Sequence, residues 1–327
     1  MTTLAIDEAH RTANPWVMFA IRRLGRFLLS LLILITAAFA MIRLIPGDPV
    51  RAALGAQAPQ SLVDAQRAAL GLDRPIPEQF MLFVGDVLTG DLGDSLITRQ
   101  PVTQVIADRL PATVQLAVIA FVFTLLVAIP LGLLFAVLTR DGRRRSADLA
   151  FSGVTGVFGA VPEFLLAVGL VFVFAVQWQV FDVAGRTDAA SFVLPVLALS
   201  AGAIAILARL VRVEANRVLQ EEYIRTARSK RLPDRIIYLR HALPNVLTAS
   251  LTLAGLLLSG MLAGTVLIEN VFSWPGLGTT IVQSITTKDY AVVQAIVLIY
   301  GAGALIINLV VDVILAVIDP RSTIRES

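Results

Sequence analysis

Cysteine is absent from this chain of 327 residues, and it has only two histidines, His10 and His241, and two lysines, Lys230 and Lys288. Without cysteine no disulfide can staple any part of the fold. Two histidines and no thiol are too few for a zinc or iron centre of the usual ligand types. Neither lysine follows the glycine pattern G-x-x-x-x-G-K-S/T, so no phosphate loop is present and the chain is not itself an ATPase. Neither histidine stands in a nucleophile-and-base arrangement, which leaves an enzyme reading without support. Charge is scarce as well, at 16% of residues.

What fills the chain instead is apolar. Hydrophobic residues make up 57% of it and the mean hydropathy is +0.79, so a soluble fold would lack the polar surface to stay dispersed. About 20 apolar residues cross a hydrocarbon core of roughly 30 Å, and six uncharged runs qualify. The first is Phe27 to Ile42, short enough for Arg26 and Arg43 to snorkel at its ends. The others lie between Arg109 and Arg140, Asp148 and Asp182, Asp188 and Arg209, His241 and Glu269, and Asp289 and Asp312. Pro130, Pro162 and Pro195 fall inside these runs and predict kinks. The expected fold is all-α, a polytopic membrane protein with a six-span domain over 27–318, an N-terminal segment 1–26 and a tail 319–327.

Arginine and lysine set the orientation. With both termini, the 140–145 loop and the Arg209–Arg240 stretch placed in the cytoplasm, 19 of the 27 basic residues lie inside. The net charge of +3 then reflects membrane orientation, and nucleic acid is not an expected partner. On the outer side, an insertion over 46–109 is rich in turn signals and predicts three helices. One runs from Ala65 to Leu70 behind a capping box of Ser61 and Asp64 and stops at Gly71. A second runs from Pro77 to Leu88, and a third starts at Pro101 and leads through Pro111 into the second span. The insertion reads either as a simple cap or as a docking surface.

The most informative stretch is the charged loop 214–244, EANRVLQEEYIRTARSKRLPDRIIYLRH followed by Ala242, Leu243 and Pro244. Val218, Leu219, Ile224 and Ala227 recur at helical spacing among Glu221, Glu222, Arg225 and Arg228, which predicts an amphipathic helix. Pro233 predicts the start of a second. Beyond the fifth span lies Ile268-Glu269-Asn270-Val271-Phe272-Ser273-Trp274-Pro275-Gly276-Leu277-Gly278, where Pro275, Gly276 and Gly278 call for a tight turn. On residue type alone, Phe272 and Trp274 there read as an interfacial aromatic belt. Glu163 is the only acidic residue well inside a span, and a charge there costs roughly 3 kcal/mol. It either stays hydrated at a membrane face or cleft, or lies on a pathway where it pairs with a cationic group.

YIRTARSK followed by RHALPN, the outer segment with Lys288-Asp289-Tyr290, and LGLDRPIPEQF with GDLGDS in the insertion together resemble the permease subunits of binding-protein-dependent ABC importers, in the dipeptide and oligopeptide branch. The resemblance runs from Ile21 to Asp319. It implies a type I importer permease fold in a bacterial inner membrane. It also implies a second, similar permease, two ATP-binding subunits that hold ATP and magnesium, an extracytoplasmic binding protein and a peptide substrate. This chain would hold no cofactor. Leu219, Tyr223, Ile224, Thr226, Ala227, Arg228, Lys230, Arg231, Leu243 and Pro244 would couple to the ATPases, with Ala227 facing the partner's groove. Glu163, Glu269, Phe272, Trp274, Pro275, Gly276 and Gly278 would line the path or its outer gate. One departure stands out: the family has glycine where Arg231 stands, and a left-handed backbone there costs a non-glycine residue on the order of 1 kcal/mol.

Arg22 and Arg23 before an apolar core ending at Ala38-Phe39-Ala40 also have the form of a cleavable signal peptide. The family resemblance favours a retained span, since relatives keep this helix and follow it with a segment like 43–49. Relatives with these loops also serve nickel chelates, glutathione or other small solutes. An ion-coupled secondary transporter is the reading from another class, and Glu163 is its sole support. The orientation is directly testable, because the chain has no native cysteine to interfere. A reporter cysteine at Gly71 or Thr187 is expected to label from outside the cell, and one at Gly142 or Ser229 only after permeabilisation. Outside labelling at Ser229 reverses the arrangement.

Overall fold

The structure is a computed structural model that describes residues 15–44, 49–55, 57–69, 71–140 and 144–318. His10, Leu70, Gly142, the 45–48 part of the segment after the first span and the 319–327 tail lie outside them. Among the described residues every element is helical, apart from one isolated bridge between Asp94 and Pro101. Five helices are long and apolar enough to cross a membrane: α1 (Pro15–Leu44), α5 (Val102–Leu138), α8 (Val193–Val218), α11 (Leu243–Val271) and α13 (Tyr290–Ile318). The third expected span falls on a bent pair, α6 (Arg145–Ala160) followed by α7 (Glu163–Leu170) and a π-helical extension Val171–Gln177.

That break corrects the expected third span. The pair is bent by 97° at Val161 and Pro162, a right-angled elbow rather than a kink. Proline lacks the N–H that would continue the ladder and pushes Val161 into extended backbone, so α6 ends and α7 restarts in a new direction. Pro111 and Pro130 behave otherwise and sit inside an unbroken α5 of 37 residues. The first span is likewise longer than expected, because its arginines lie within α1. Arg23 pairs with Asp312 of α13 across the helix interface. Arg43 does not snorkel: its guanidinium lies over the Phe39 ring, donates to Phe39 O at 3.0 Å and bonds Gln79 of the insertion.

The insertion contains α2 (Pro49–Leu54), α3 (Gln60–Ala69) and α4 (Ile76–Thr89). The helix α3 starts at Gln60, ahead of the expected cap, and Gly71 follows it in the left-handed conformation at φ +64°. Together with α1 and α13, α4 encloses a cavity of about 960 Å³ lined in part by Arg43, Gln79, Asp86, Asp94, Tyr290 and Gln294.

The helices pack through small residues. A Cβ at Gly132 of α5 would lie 2.6 Å from Ala208 O and 2.7 Å from Val211 Cβ of α8, so the two backbones approach where no side chain intervenes. Without hydrophobic drive between helices in lipid, such close packing is a main source of association. Gly132→Ala is therefore expected to lower the stability of the detergent-purified protein by about 1–3 kcal/mol through overpacking. Gly25→Ala, with nothing within 4 Å, should raise it by about 0.5–1 kcal/mol through helix propensity. Thermal unfolding checks both signs.

Candidate functional site

The α11 helix ends at Val271, a turn follows, and α12 (Leu277–Thr287) folds back before α13 begins. Ser273 holds φ +48° in that turn. Glu269, fully buried near the end of α11, reaches across to the start of α12. Its Oε2 accepts from the Gly278 N–H at 2.6 Å and the Thr279 N–H at 3.3 Å. Those are two of the amides that a helix N-terminus leaves without intrahelical partners, and the helix dipole favours a negative charge beside them. Thr113 of α5 completes the set, donating to Glu269 Oε1 at 2.7 Å while its oxygen accepts from the Leu277 N–H at 2.8 Å. Each contact to Glu269 comes from a donor, so both carboxyl oxygens find partners.

The glycines follow from this carboxylate. A Cβ at Gly276 would lie 2.4 Å from Glu269 Oε2, and one at Gly278 would lie 2.6 Å from Val266 Cα. Trp274 and Phe272 are buried, which corrects the interfacial-belt reading. Trp274 Nε1 donates to Ala112 O at 3.1 Å and its ring meets Phe192 edge-on at 4.6 Å. Phe272 O accepts from the Gly185 N–H at 2.8 Å, which fastens the 178–189 loop to the turn. Pro275 is half-buried between these groups. Glu269, Phe272, Trp274, Gly276 and Gly278 thus form one site with Thr113. Sequence reasoning missed Thr113, a threonine in a long apolar helix with no local signal. It also missed Ser95, which hydrogen-bonds Asp289 at the start of α13 and ties the insertion to the same end of the bundle.

Glu163 stands apart from that cluster. As the first residue of α7 it lies just past the elbow, against α11, where a Cβ at Gly264 would be 2.4 Å from its Oε1. Its carboxylate accepts no hydrogen bond among the described residues.

The charged loop divides differently from the expected single amphipathic helix. α8 continues through Val218, a turn covers 219–221, and α9 (Glu222–Ser229) starts afresh. Leu219, Ile224 and Ala227 are buried, with Leu243 packed beside them, in a cluster with Leu207, Val211 and Ile237. Ala227 therefore faces this chain's own core rather than a partner's groove. The outward face of α9 is Tyr223, Thr226 and Arg225. Arg228 is half-buried, and Lys230, Arg231 and Pro244 are exposed. Lys230 closes α9, and Arg231 follows in the left-handed conformation at φ +54°. Its N–H donates to Arg228 O at 2.8 Å and the Leu232 N–H to Ala227 O at 3.3 Å, which is a Schellman stop built on arginine. α10 (Asp234–Ile236), with Pro233 as its cap, continues into a π turn Ile237–Ala242 and then α11.

Residues 128–324, which hold the elbow, the loop and the turn before α12, match the family described as binding-protein-dependent transport system inner membrane component. Residues 16–117 match that family's N-terminal membrane component. The chain belongs to this family. It is 37% identical over 304 residues to a glutathione transport system permease protein GsiC of Pectobacterium atrosepticum, covering 92% of this chain and 97% of the relative. The corresponding Escherichia coli protein is 35% identical over 303 residues, with the same coverage. A solved structure of the MetNI methionine ABC transporter in an inward-facing conformation aligns with a TM-score of 0.52 at 19% identity. The alignment covers 66% of this chain and 97% of that one, a likeness of fold. The permease is thus a multi-pass inner membrane component with the type I importer fold, in the branch the sequence resembled.

The hydrogen-bond geometry makes Thr113 decisive for the turn between α11 and α12. Thr113→Val keeps the shape but leaves Glu269 Oε1 and the Leu277 N–H buried without partners. The expected loss is about 1–3 kcal/mol in thermal unfolding. Thr36→Val, at an exposed hydroxyl, should stay within about 0.5 kcal/mol.

Proposed function

We propose that the permease forms half of the translocation pathway of an ATP-driven importer for di- or oligopeptides. It works beside a second, similar permease, two ATP-binding subunits holding ATP and magnesium, and an extracytoplasmic binding protein that docks on the insertion side. Both termini and the 214–244 loop face the cytoplasm. The observation that carries the reading is α9, a short helix packed by Ile224 and Ala227 onto the membrane core while Tyr223 and Thr226 point away from it. A helix held this way passes any push on its outer face into α8 and α11. Glutathione is the second reading within the same importer type, favoured by the named relatives, and it is itself a small peptide. In either case Glu163 stands ready to take the substrate's ammonium group.

Purification and ATP hydrolysis test this together. The permease should carry two ATP-binding chains and a second permease with it, and binding protein with peptide should stimulate hydrolysis in the reconstituted complex. Tyr223→Ala is expected to cut that stimulation about tenfold, the loss of one aromatic anchor at an interface. Ala227→Glu is expected to lower the yield of folded permease instead, by placing a charge in its own core. Normal stimulation in Tyr223→Ala removes α9 as the contact.

A further inference from the structure

Two charged side chains flank the α6–α7 elbow without neutralising each other. On one side is Glu163, described above. On the other is Arg209 of α8, whose Nε donates to Ala205 O at 3.3 Å and whose Nη2 would lie 3.0 Å from a Cβ at Gly159, near the end of α6. Glycine at 159 leaves the guanidinium room to lie on the elbow. No carboxylate pairs with Arg209 among the described residues. Its neighbour one turn on, Arg212, is by contrast held by Asp148 and lies over the Phe151 ring at 5.1 Å.

Arg209 is an exposed residue of the chain, and its Cα lies nine residues, about 13 Å, before the loop end of α8. Its side chain lies back along α8 towards Ala205, the usual lean of a helical side chain, which sets the guanidinium against Gly159 at the elbow. An exposed charge on a membrane helix with no counter-ion belongs in a water-filled cleft or opposite a mobile anion. Gly159 and Glu163 are four residues apart, which bounds their backbone separation at about 14 Å, the reach of an extended peptide of two to four residues.

We propose that Arg209 and Glu163 are the two poles of a substrate site at the α6–α7 elbow, Arg209 binding the free carboxylate of a short peptide and Glu163 its ammonium group. The inference rests on the peptide-importer reading above. Guanidinium suits the carboxylate pole because it offers paired donors in one plane. The elbow itself is the platform, since the 97° turn lets one helix end face Arg209 and the next helix start carry Glu163.

The test uses the complete complex in proteoliposomes with its binding protein, and three forms of trialanine: free, amino-acetylated and carboxy-amidated. Arg209→Gln is expected to lower the ratio of free to amidated uptake about tenfold relative to the unsubstituted complex, the size of one lost hydrogen bond between charged groups. Glu163→Gln should do the same to the ratio of free to acetylated uptake, so the two variants give crossed patterns. Arg209→Lys keeps the charge and loses the paired donors. It should fall between the two, and it serves as the readout if Arg209→Gln does not assemble. Equal loss of all three forms, or no change in either ratio, overturns the site and leaves the importer reading standing. An unsubstituted complex that imports none of the three peptides overturns both.

Discussion

A buried carboxylate bonded to the start of a short helix holds one end of this permease together. Glu269 is the last acidic residue of α11, yet its oxygens belong to α12 and α5. In an apolar surrounding the unpaired amides of Gly278 and Thr279 and the bare carboxylate would each be costly, and together they satisfy one another. The steric consequences spread from there. Gly276 and Gly278 have no room for a Cβ, Trp274 is drawn under the turn to reach Ala112, and Phe272 offers its carbonyl to the 178–189 loop. Because Thr113 bonds both Glu269 and Leu277, α5, α11 and α12 meet at one point.

The opposite end is held by different forces. No carboxylate network fixes α9; it is fastened by Leu219, Ile224 and Ala227 in an apolar cluster shared with α5, α8 and α11. Such contacts are non-directional and tolerate small sliding, whereas the hydrogen-bonded turn around Glu269 does not. The permease is therefore held more rigidly at the Glu269 turn than at the loop. The elbow between α6 and α7 lies in between, with α8 along one side and α11 along the other.

Much of this was legible from residue order. Runs of uncharged residues locate the membrane helices because each must bury its own backbone bonds, and the loop and gate strings carry the family pattern. The third span misled because Pro162 inside an apolar run reads as a kink, and only packing decides whether the chain bends or breaks there. The loop helix misled for a related reason. Leu219 and Ala227, eight residues apart, are in step for one helix, yet Leu219 lies in the turn after α8 and Ala227 in α9, because the turn at 219–221 is written in ordinary helix-forming residues. Trp274 looked interfacial because an aromatic ring with a polar edge suits both a headgroup layer and a buried carbonyl. Arg209 was counted with the loop charges, and its place at the elbow depends on a gap left by Gly159 on another helix, beyond the reach of local pattern.

Arginine at position 231 changes what holds the loop in shape. A glycine would adopt the left-handed stop on its own, whereas Arg231 disfavours it by about 1 kcal/mol, close to a fivefold drop in the turn's population in an isolated segment. The turn is recovered because Leu232, next in the chain, packs against the buried cluster. Shape in this loop is thus borrowed from the membrane bundle. A peptide cut from 219–242 would not hold this turn, which keeps its shape only while its root stays embedded.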